Sequence, residues 1–270
     1  KVSNKNGLIE LFRFLCSLWV AYYHGFSPVM SDKSGGVNIS VDFFLMLSGF
    51  FFLKSIEKYR ERPFLEGAKF IFWGRTKRFI VPLIIAALSI FWCNIMLPLN
   101  LGFNFPFSFL WFFVAQFVLL SLFYLLLKYV KRMSIFNAIC VFIILFTMSF
   151  CVLGNETLGR VVRGPGMIAL GILVSQIPKV KIKLNNEVKA ERISMLLNVF
   201  GFVASALAFV YLAYLPEYSI LKLHVFICIV CPSLLYFATA LPVKGKLFDF
   251  LGELSIFIYI NQCPILVHYY

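Results

Sequence analysis

Residues 135–153 read IFNAICVFIILFTMSFCVL, nineteen residues without one charged side chain. A run of that length and apolarity is what a helix needs to cross the roughly 30 Å hydrocarbon core of a bilayer. It is too long and too continuous for a strand of a membrane barrel, where apolar and polar residues alternate over about ten positions. Eight further apolar segments flank it, at about 8–29, 39–56, 79–97, 108–127, 164–178, 193–213, 220–242 and 249–270. The sixth segment opens on Gly164-Pro165-Gly166. The composition agrees: 61% of the 270 residues are hydrophobic and 14% charged, far from the roughly one-quarter charged of soluble domains. The expected fold is an all-α polytopic membrane protein of about nine transmembrane helices. Residues 1–270 are expected to form a single membrane-embedded domain, because no linker, repeat or soluble domain interrupts them.

The net charge of +13 would suggest nucleic acid in a soluble protein. Here its placement gives a different answer. Twenty of the 25 Lys and Arg fall at residues 1–5, 54–78, 128–132, 179–192 and 244–246, all on one side of a nine-span path. Lys33, Arg160 and Arg163 fall on the other side. Positive loops stay cytoplasmic, so the N-terminus is predicted inside and Tyr270 on the far face. Anionic lipid then accounts for the basic balance, and no nucleic acid is implied. The seven cysteines all lie in apolar stretches and suggest no disulfide framework.

Ionisable groups within spans are expensive and are therefore functional candidates. Arg13 and His24 are eleven residues apart, three helical turns plus roughly 20°, so they share a face and differ in depth by about 16 Å. The plainer reading has Arg13 snorkelling to the headgroups and His24 capping the outer end. Asp42 opens the second segment, in Val41-Asp42-Phe43-Phe44-Leu45-Met46-Leu47-Ser48-Gly49-Phe50. Asp42 and His24 each lie just inside an outer helix end, so neighbouring helices would bring them to one depth. A carboxylate on one imidazole nitrogen would make the other a better base. Asp42 as a helix N-cap is the alternative. Ser48 and Gly49 permit close helix packing. Arg75 and Arg78, at i and i+3 before Pro82, share a helix face and suit a phosphate. They also fit a simple positive-inside anchor.

Together these residues resemble the acyltransferase 3 family of membrane O-acyltransferases. The resemblance rests on Arg13-x10-His24, on the Val41–Phe50 run, and on Arg75-x2-Arg78 with Pro82. Trp111 in Leu110-Trp111-Phe112-Phe113 matches the family's fourth-helix motif. Leu251-Gly252-Glu253-Leu254-Ser255-Ile256-Phe257-Ile258-Tyr259-Ile260-Asn261 is similar to its late motif, with Ile256 in place of the usual Tyr and Asn261 in place of the usual His. Asn261 can hydrogen-bond but exchanges no proton near neutral pH. The family usually has ten core helices, so a chain truncated before a tenth helix, or an unusual member, is expected.

The resemblance implies an enzyme that passes an acyl group, acetyl in the first instance, from acyl-CoA to a hydroxyl of a cell-surface or lipid-linked glycan. Acyl-CoA would be the co-substrate, with no cofactor and no metal. His24 would act as general base with Asp42 beside it. Arg13, Arg75, Arg78, Ser48, Trp111 and Asn261 would line the substrates. The implied location is the plasma membrane, of the bacterial inner-membrane type.

Weaker features remain. His224, Cys228 and Cys231 fall at i, i+4 and i+7, a spacing open to a metal, although free Cys is common in apolar packing. Glu253 reads as a pocket wall or an interfacial residue. Residues 57–78 read as a candidate amphipathic helix on the inner surface. A transporter or channel for an anionic solute is the alternative function. A membrane protein whose acyl chemistry has lapsed is a third.

Overall fold

The structure, a computed structural model, describes residues 5–26, 35–96, 107–152, 156–180, 182, 187–214 and 220–266. Among them the chain is helical throughout its regular structure. In order, the helices are α1 (Gly7–Phe26), α2 (Gly35–Phe50), α3 (Phe52–Ile56), α4 (Phe64–Met96), α5 (Phe107–Tyr129), α6 (Met133–Val152), α7 (Glu156–Gln176), α8 (Glu187–Tyr214), α9 (Ile220–Val225), α10 (Cys231–Ala240) and α11 (Lys246–Leu266). A single 3₁₀ turn, Glu57–Tyr59, follows α3, and a π turn, Phe226–Val230, joins α9 to α10 without a break. Every apolar segment of the sequence falls on a helix. Met133–Phe150, Glu187–Leu212 and Leu221–Ala240 are long and apolar enough to cross a membrane. Ser40–Phe50, Phe79–Ser89 and Ala115–Tyr129 are shorter apolar helices.

Two boundaries differ from the sequence expectation, for physical reasons. Residues 64–78 do not form a separate surface helix. They are the first half of the 33-residue α4, which runs on through Pro82. At 1.5 Å per residue α4 is about 50 Å long, well beyond the bilayer core, so its basic first half extends outside the hydrocarbon. Helix α7 begins at Glu156, two turns before Gly164-Pro165-Gly166. Polar Glu156, Arg160 and Arg163 hide this start from a hydropathy reading. Arg163 is consequently inside a helix and buried, not in an outer loop.

The centre of the bundle is the contact of α2 with α7. It is unusually close because each helix presents a glycine to the other's backbone. A methyl group on Gly49 would fall onto the Ile168 carbonyl oxygen, with Ile168 Cα 2.9 Å away. One on Gly171 would fall onto the Met46 carbonyl oxygen, with Phe50 N 2.8 Å away. Small residues permit such approach where lipid supplies no hydrophobic drive between helices. Helix α1 packs chiefly on α11 and also on α2, while α11 packs on α4, α6 on α7, and α10 on α8. Beside α2 sits an aromatic cluster. Phe209 packs on Phe12 (5.8 Å between centroids), Phe43 (5.9 Å) and Phe226 (5.0 Å). Large apolar side chains of α4, α6 and α8 face outward, including Val81, Leu88, Phe142, Phe200 and Leu207. Outward apolar surface on this scale suits lipid, not water.

The basic stretches gather at one end of the bundle. Arg60 donates to the Lys131 carbonyl at 3.1 Å, and Lys128 to the Arg62 carbonyl at 2.6 Å. Asn6 donates to the carbonyls of Ala238 and Leu241, both at 2.9 Å. Gly7 N donates to the Val243 carbonyl at 2.8 Å. These bonds join the turn before α4 to the α5–α6 turn, and the start of α1 to the turn before α11. That grouping is the one the charge pattern indicated.

The glycine contacts yield a direct contrast. Gly49→Ala and Gly171→Ala should each lower thermal stability in detergent micelles, by about 1–3 kcal/mol of overpacking. Gly74→Ala on α4, whose nearest neighbour is a Phe70 ring carbon at 3.9 Å, should leave stability unchanged or raise it slightly.

Candidate active site

A cavity of about 1070 Å³ opens among α1, α2, α4, α5, α7 and α11, toward the basic end. It is at the upper end of small-molecule pockets. Lys5, Arg13, Lys54 and Arg60 line it, with carboxylates only from Glu10 and Glu57. Deeper in lie Ser17, Ser48, Gln116, Ser255 and Tyr259, on apolar walls of Phe44, Leu47, Phe79 and Leu120.

Arg13 is held in place by its own helix. Its Nη1 donates to Glu10 Oε2 at 2.8 Å, and both side chains are largely buried. Glu10 in turn needs α11 to come close. A methyl group on Gly252 would overlap the Glu10 carboxylate. The glycine of the late motif thus has a mechanical job: it leaves room for the carboxylate that orients Arg13. Three residues of that motif, Ser255, Ile256 and Tyr259, also line the cavity. Tyr259 meets the Phe44 ring edge-on at 5.7 Å, and Ser255 hydroxyl donates to the Gly252 carbonyl at 2.7 Å.

Ser48 lies across the cavity from α1. Its hydroxyl donates to the Phe44 carbonyl at 2.9 Å and accepts from Gln116 Nε2. Gln116 is 5% exposed, so this amide is committed to the site wall. Of the residues expected from sequence, the cavity therefore brings Arg13 and Ser48 together. Positions 75 and 78 of α4 are four and seven residues after cavity-lining Ile71, on the same helical stripe. The side chains of Arg75, Arg78, Trp111 and His24 lie outside the described residues.

Asp42 and Asn261 stand apart from the cavity. Asn261 is 3% exposed, and its Nδ2 donates to the Phe257 carbonyl at 3.0 Å and, at a long 3.4 Å, to the Pro82 carbonyl. It ties α11 to α4 beside the proline. Asp42 is 2% exposed, and its Oδ1 is 3.7 Å from Arg163 Nε on α7. Sequence reading had given Asp42 to His24. The register of α1 on α2 argues otherwise. The side chains of Ser40 and Cys16 are hydrogen-bonded, and the Phe43 and Phe12 rings meet at 6.4 Å. Cys16 precedes His24 by eight residues, about 12 Å of helix. Asp42 is thus level with the middle of α1, not with His24 near its end.

The Asp42–Arg163 pair is loose. At 3.7 Å it is an ion pair without a hydrogen bond, and Asp42 Oδ2 and Arg163 Nε are buried without hydrogen-bond partners among the described residues. Cys231, at the start of α10, is within electrostatic reach of both Cys16 and Asp42. Glu10, Arg163, Gln116 and Gly252 are the site residues that sequence reading passed over. For Arg163 the signal was available, since an arginine one residue before an apolar segment belongs to it if the helix starts earlier.

The π turn displaces the other candidate cluster. It falls between His224 and Cys231, so their α-helical i, i+7 relation does not hold. His224 Nε2 is 3.2 Å from the Met148 carbonyl, and Cys228 Sγ is 3.7 Å from Met148 Sδ. Glu253 is exposed and pairs with Lys5 at 3.6 Å, the interfacial role.

Breaking a buried pair from one side leaves an uncompensated charge. Asp42→Asn or Arg163→Gln alone should therefore cost about 3–5 kcal/mol, while the double variant should recover most of it. Thermal unfolding of the four proteins in one detergent, read as a double-mutant cycle, measures the recovery.

No curated protein and no solved structure matches the chain. The family comparison does. The model for the Acyl_transf_3 acyltransferase domain matches residues 6–270. The match takes in α1 with Glu10 and Arg13, the α2–α7 contact, and the late motif on α11. This chain belongs to the acyltransferase 3 family of membrane acyltransferases.

Proposed function

We propose that the chain is a membrane O-acyltransferase that moves an acetyl or similar acyl group from acyl-CoA to a hydroxyl of a cell-surface or lipid-linked glycan. The observation that carries this reading is the large cavity at the basic end, with Arg13 fixed inside it by Glu10. CoA carries phosphates, and guanidinium groups bind them through paired, charge-assisted hydrogen bonds. Arg13, and Arg75 and Arg78 on the α4 stripe, are the donor-binding groups of this proposal. The apolar walls of Phe44, Leu47 and Leu120 suit the pantetheine arm and acyl chain. Ser48 and Gln116 supply the polar contacts at depth.

His24 is the general base. It lies three turns beyond Arg13 on the same face of α1, toward the opposite end of the bundle, where an acceptor hydroxyl would be met. It would take the hydroxyl proton as the oxygen attacks the thioester. Asp42 then serves with Arg163 to hold α2 against α7 and acts on His24 only through the frame. Trp111 is proposed at the substrate edge. Asn261 is kept for its tie to Pro82. The chain is read as nine spans in a plasma membrane, of the bacterial inner-membrane type, with the N-terminus and the cavity mouth cytoplasmic. Impermeant thiol reagents should consequently fail to label single cysteines placed at 57–63 or 187–192 in intact cells.

The test is transfer of isotopic acetyl from acetyl-CoA into the glycan fraction of membranes with and without the protein. Wild type should incorporate label. His24→Gln should abolish incorporation while leaving acetyl-CoA binding intact, because glutamine bonds but takes no proton. Arg13→Ala should weaken acetyl-CoA binding by about tenfold or more, the value of one charge-assisted hydrogen bond. Near-normal transfer by His24→Gln would overturn the base assignment. Solute uptake without acyl transfer would favour a carrier.

A further inference from the structure

Lys179 is a half-buried amine behind two side chains of the cavity wall, Thr239 and Phe50, and the proposed mechanism makes no use of it. It follows α7 by three residues, in a strap that Tyr236 pins. The Tyr236 hydroxyl donates to the Pro178 carbonyl and accepts from Val180 N, both at 2.8 Å. Lys179 Nζ donates to the Tyr236 carbonyl at 2.7 Å and to Thr239 Oγ1. It lies 4.2 Å from the centre of the Tyr236 ring and 6.0 Å from that of Phe50. Thr239 and Phe50 both line the cavity, as does Gln176, the last residue of α7.

Among the described residues no carboxylate pairs with this lysine, and its hydrogen bonds are specific. Its two hydrogen bonds go to a carbonyl and to a hydroxyl whose own proton points back to its helix, toward Leu235 and Tyr236 carbonyls at 2.9 Å. A neutral amine has two N–H donors and one lone pair. This site gives hydrogen-bond acceptors to two donors and sets only the Tyr236 ring face beside the third position, so the neutral form keeps a lone pair for attack.

We propose that Lys179 is a site of N-acylation by the acyl-CoA held in the cavity. The inference rests on the donor reading above. In the step, the Lys179 nitrogen attacks the thioester carbonyl, a C–N bond forms and the C–S bond breaks. The electron pair leaves with the CoA sulfur, and the ammonium proton goes to that thiolate through solvent. The products are an amide and free CoA, with nothing oxidised or reduced. The amide carries no charge, so acylation removes a cation from the rim that would receive a polyanionic donor. The protein thereby gains a brake that senses how much acyl-CoA is present.

Burial supports the chemistry. It lowers the Lys179 amine to about 8. An ordinary lysine titrates near 10.4, so at neutral pH the reactive neutral fraction is more than roughly a hundredfold larger here. Among the described residues the neighbours of Lys179 from α2 and α10 are Phe50, Tyr236 and Thr239, none of them a charged group.

The experiment uses the full chain in lipid nanodiscs, incubated with acetyl-CoA and digested for peptide mass spectrometry. Lys179 should be acetylated at least about tenfold faster than the exposed Lys131, Lys189 or Lys246, none of which lines the cavity. The rate should climb with pH and level off above about 8, as the neutral amine saturates. Added CoA should slow this acetylation, and Lys179→Arg should abolish it at that peptide. A parallel reaction uses N-acetoxysuccinimide, which needs no donor site. Labelling of Lys179 by acetyl-CoA no faster than of the exposed lysines overturns the proposal, and the second reagent shows why. If Lys179 leads with N-acetoxysuccinimide alone, the amine is reactive and the donor reading fails. If it leads with neither, the amine is ordinary and the donor reading stands untouched.

Discussion

The structure depends on the contact of α2 with α7. Both helices carry a glycine where the other's backbone passes, and a single methyl group at Gly49 or Gly171 would collide with a carbonyl oxygen. In lipid this matters more than in water, because helices gain nothing by hiding apolar surface from one another. What they gain is close van der Waals contact and satisfied polar groups. The glycines supply the first, and the loose Asp42–Arg163 pair on the same two helices adds an attraction between opposite charges. The same rigidity sets the wall of the cavity, since Phe44, Leu47 and Ser48 on α2 and Ser175 and Gln176 on α7 line it.

A second contact, between α1 and α11, fixes the cation in that cavity. Glu10 faces Arg13 and lies over Gly252, so the ion pair exists only as long as α11 presents no side chain there. Motif residues at 13 and 252, far apart in the chain, are thus parts of one device. Asn261, which exchanges no proton near neutral pH, extends the tie from α11 to α4. The late motif of this chain holds helices as much as it lines a pocket.

Much of this was legible in the residues. The apolar runs located every helix, and the basic stretches grouped the loops that the structure brings to one end. Arg13 and Ser48 were picked out as polar groups in spans, and both line the cavity. Other parts were hidden for identifiable reasons. Helix α7 starts two turns early because Glu156, Arg160 and Arg163 depress its hydropathy, and so Arg163 was assigned to a loop. The pairing of Asp42 with His24 assumed that residues near helix ends lie level, but α1 and α2 are offset by several residues, as the Cys16–Ser40 bond shows. Glu10 went unremarked, because the helix that closes over it, α11, comes more than two hundred positions later. The π turn that displaces Cys231 from His224 has no sequence signal that a period of 3.6 would register.

The charges on α7 also bear on how the protein is made. A central arginine costs about 2.5–3.5 kcal/mol for a helix entering the membrane from the translocation channel. Helix α7 carries Glu156, Arg160 and Arg163, and although it is as long as α6 it lacks the apolarity that α6 and α8 have for crossing alone. Its counter-charge, Asp42, was synthesised about 120 residues earlier. The emerging segment therefore has to find α2 already lodged beside the channel and enter against it. Insertion of α7 and formation of its tightest tertiary contact become one event. The order of synthesis, carboxylate first and guanidinium second, is the order in which that event can happen.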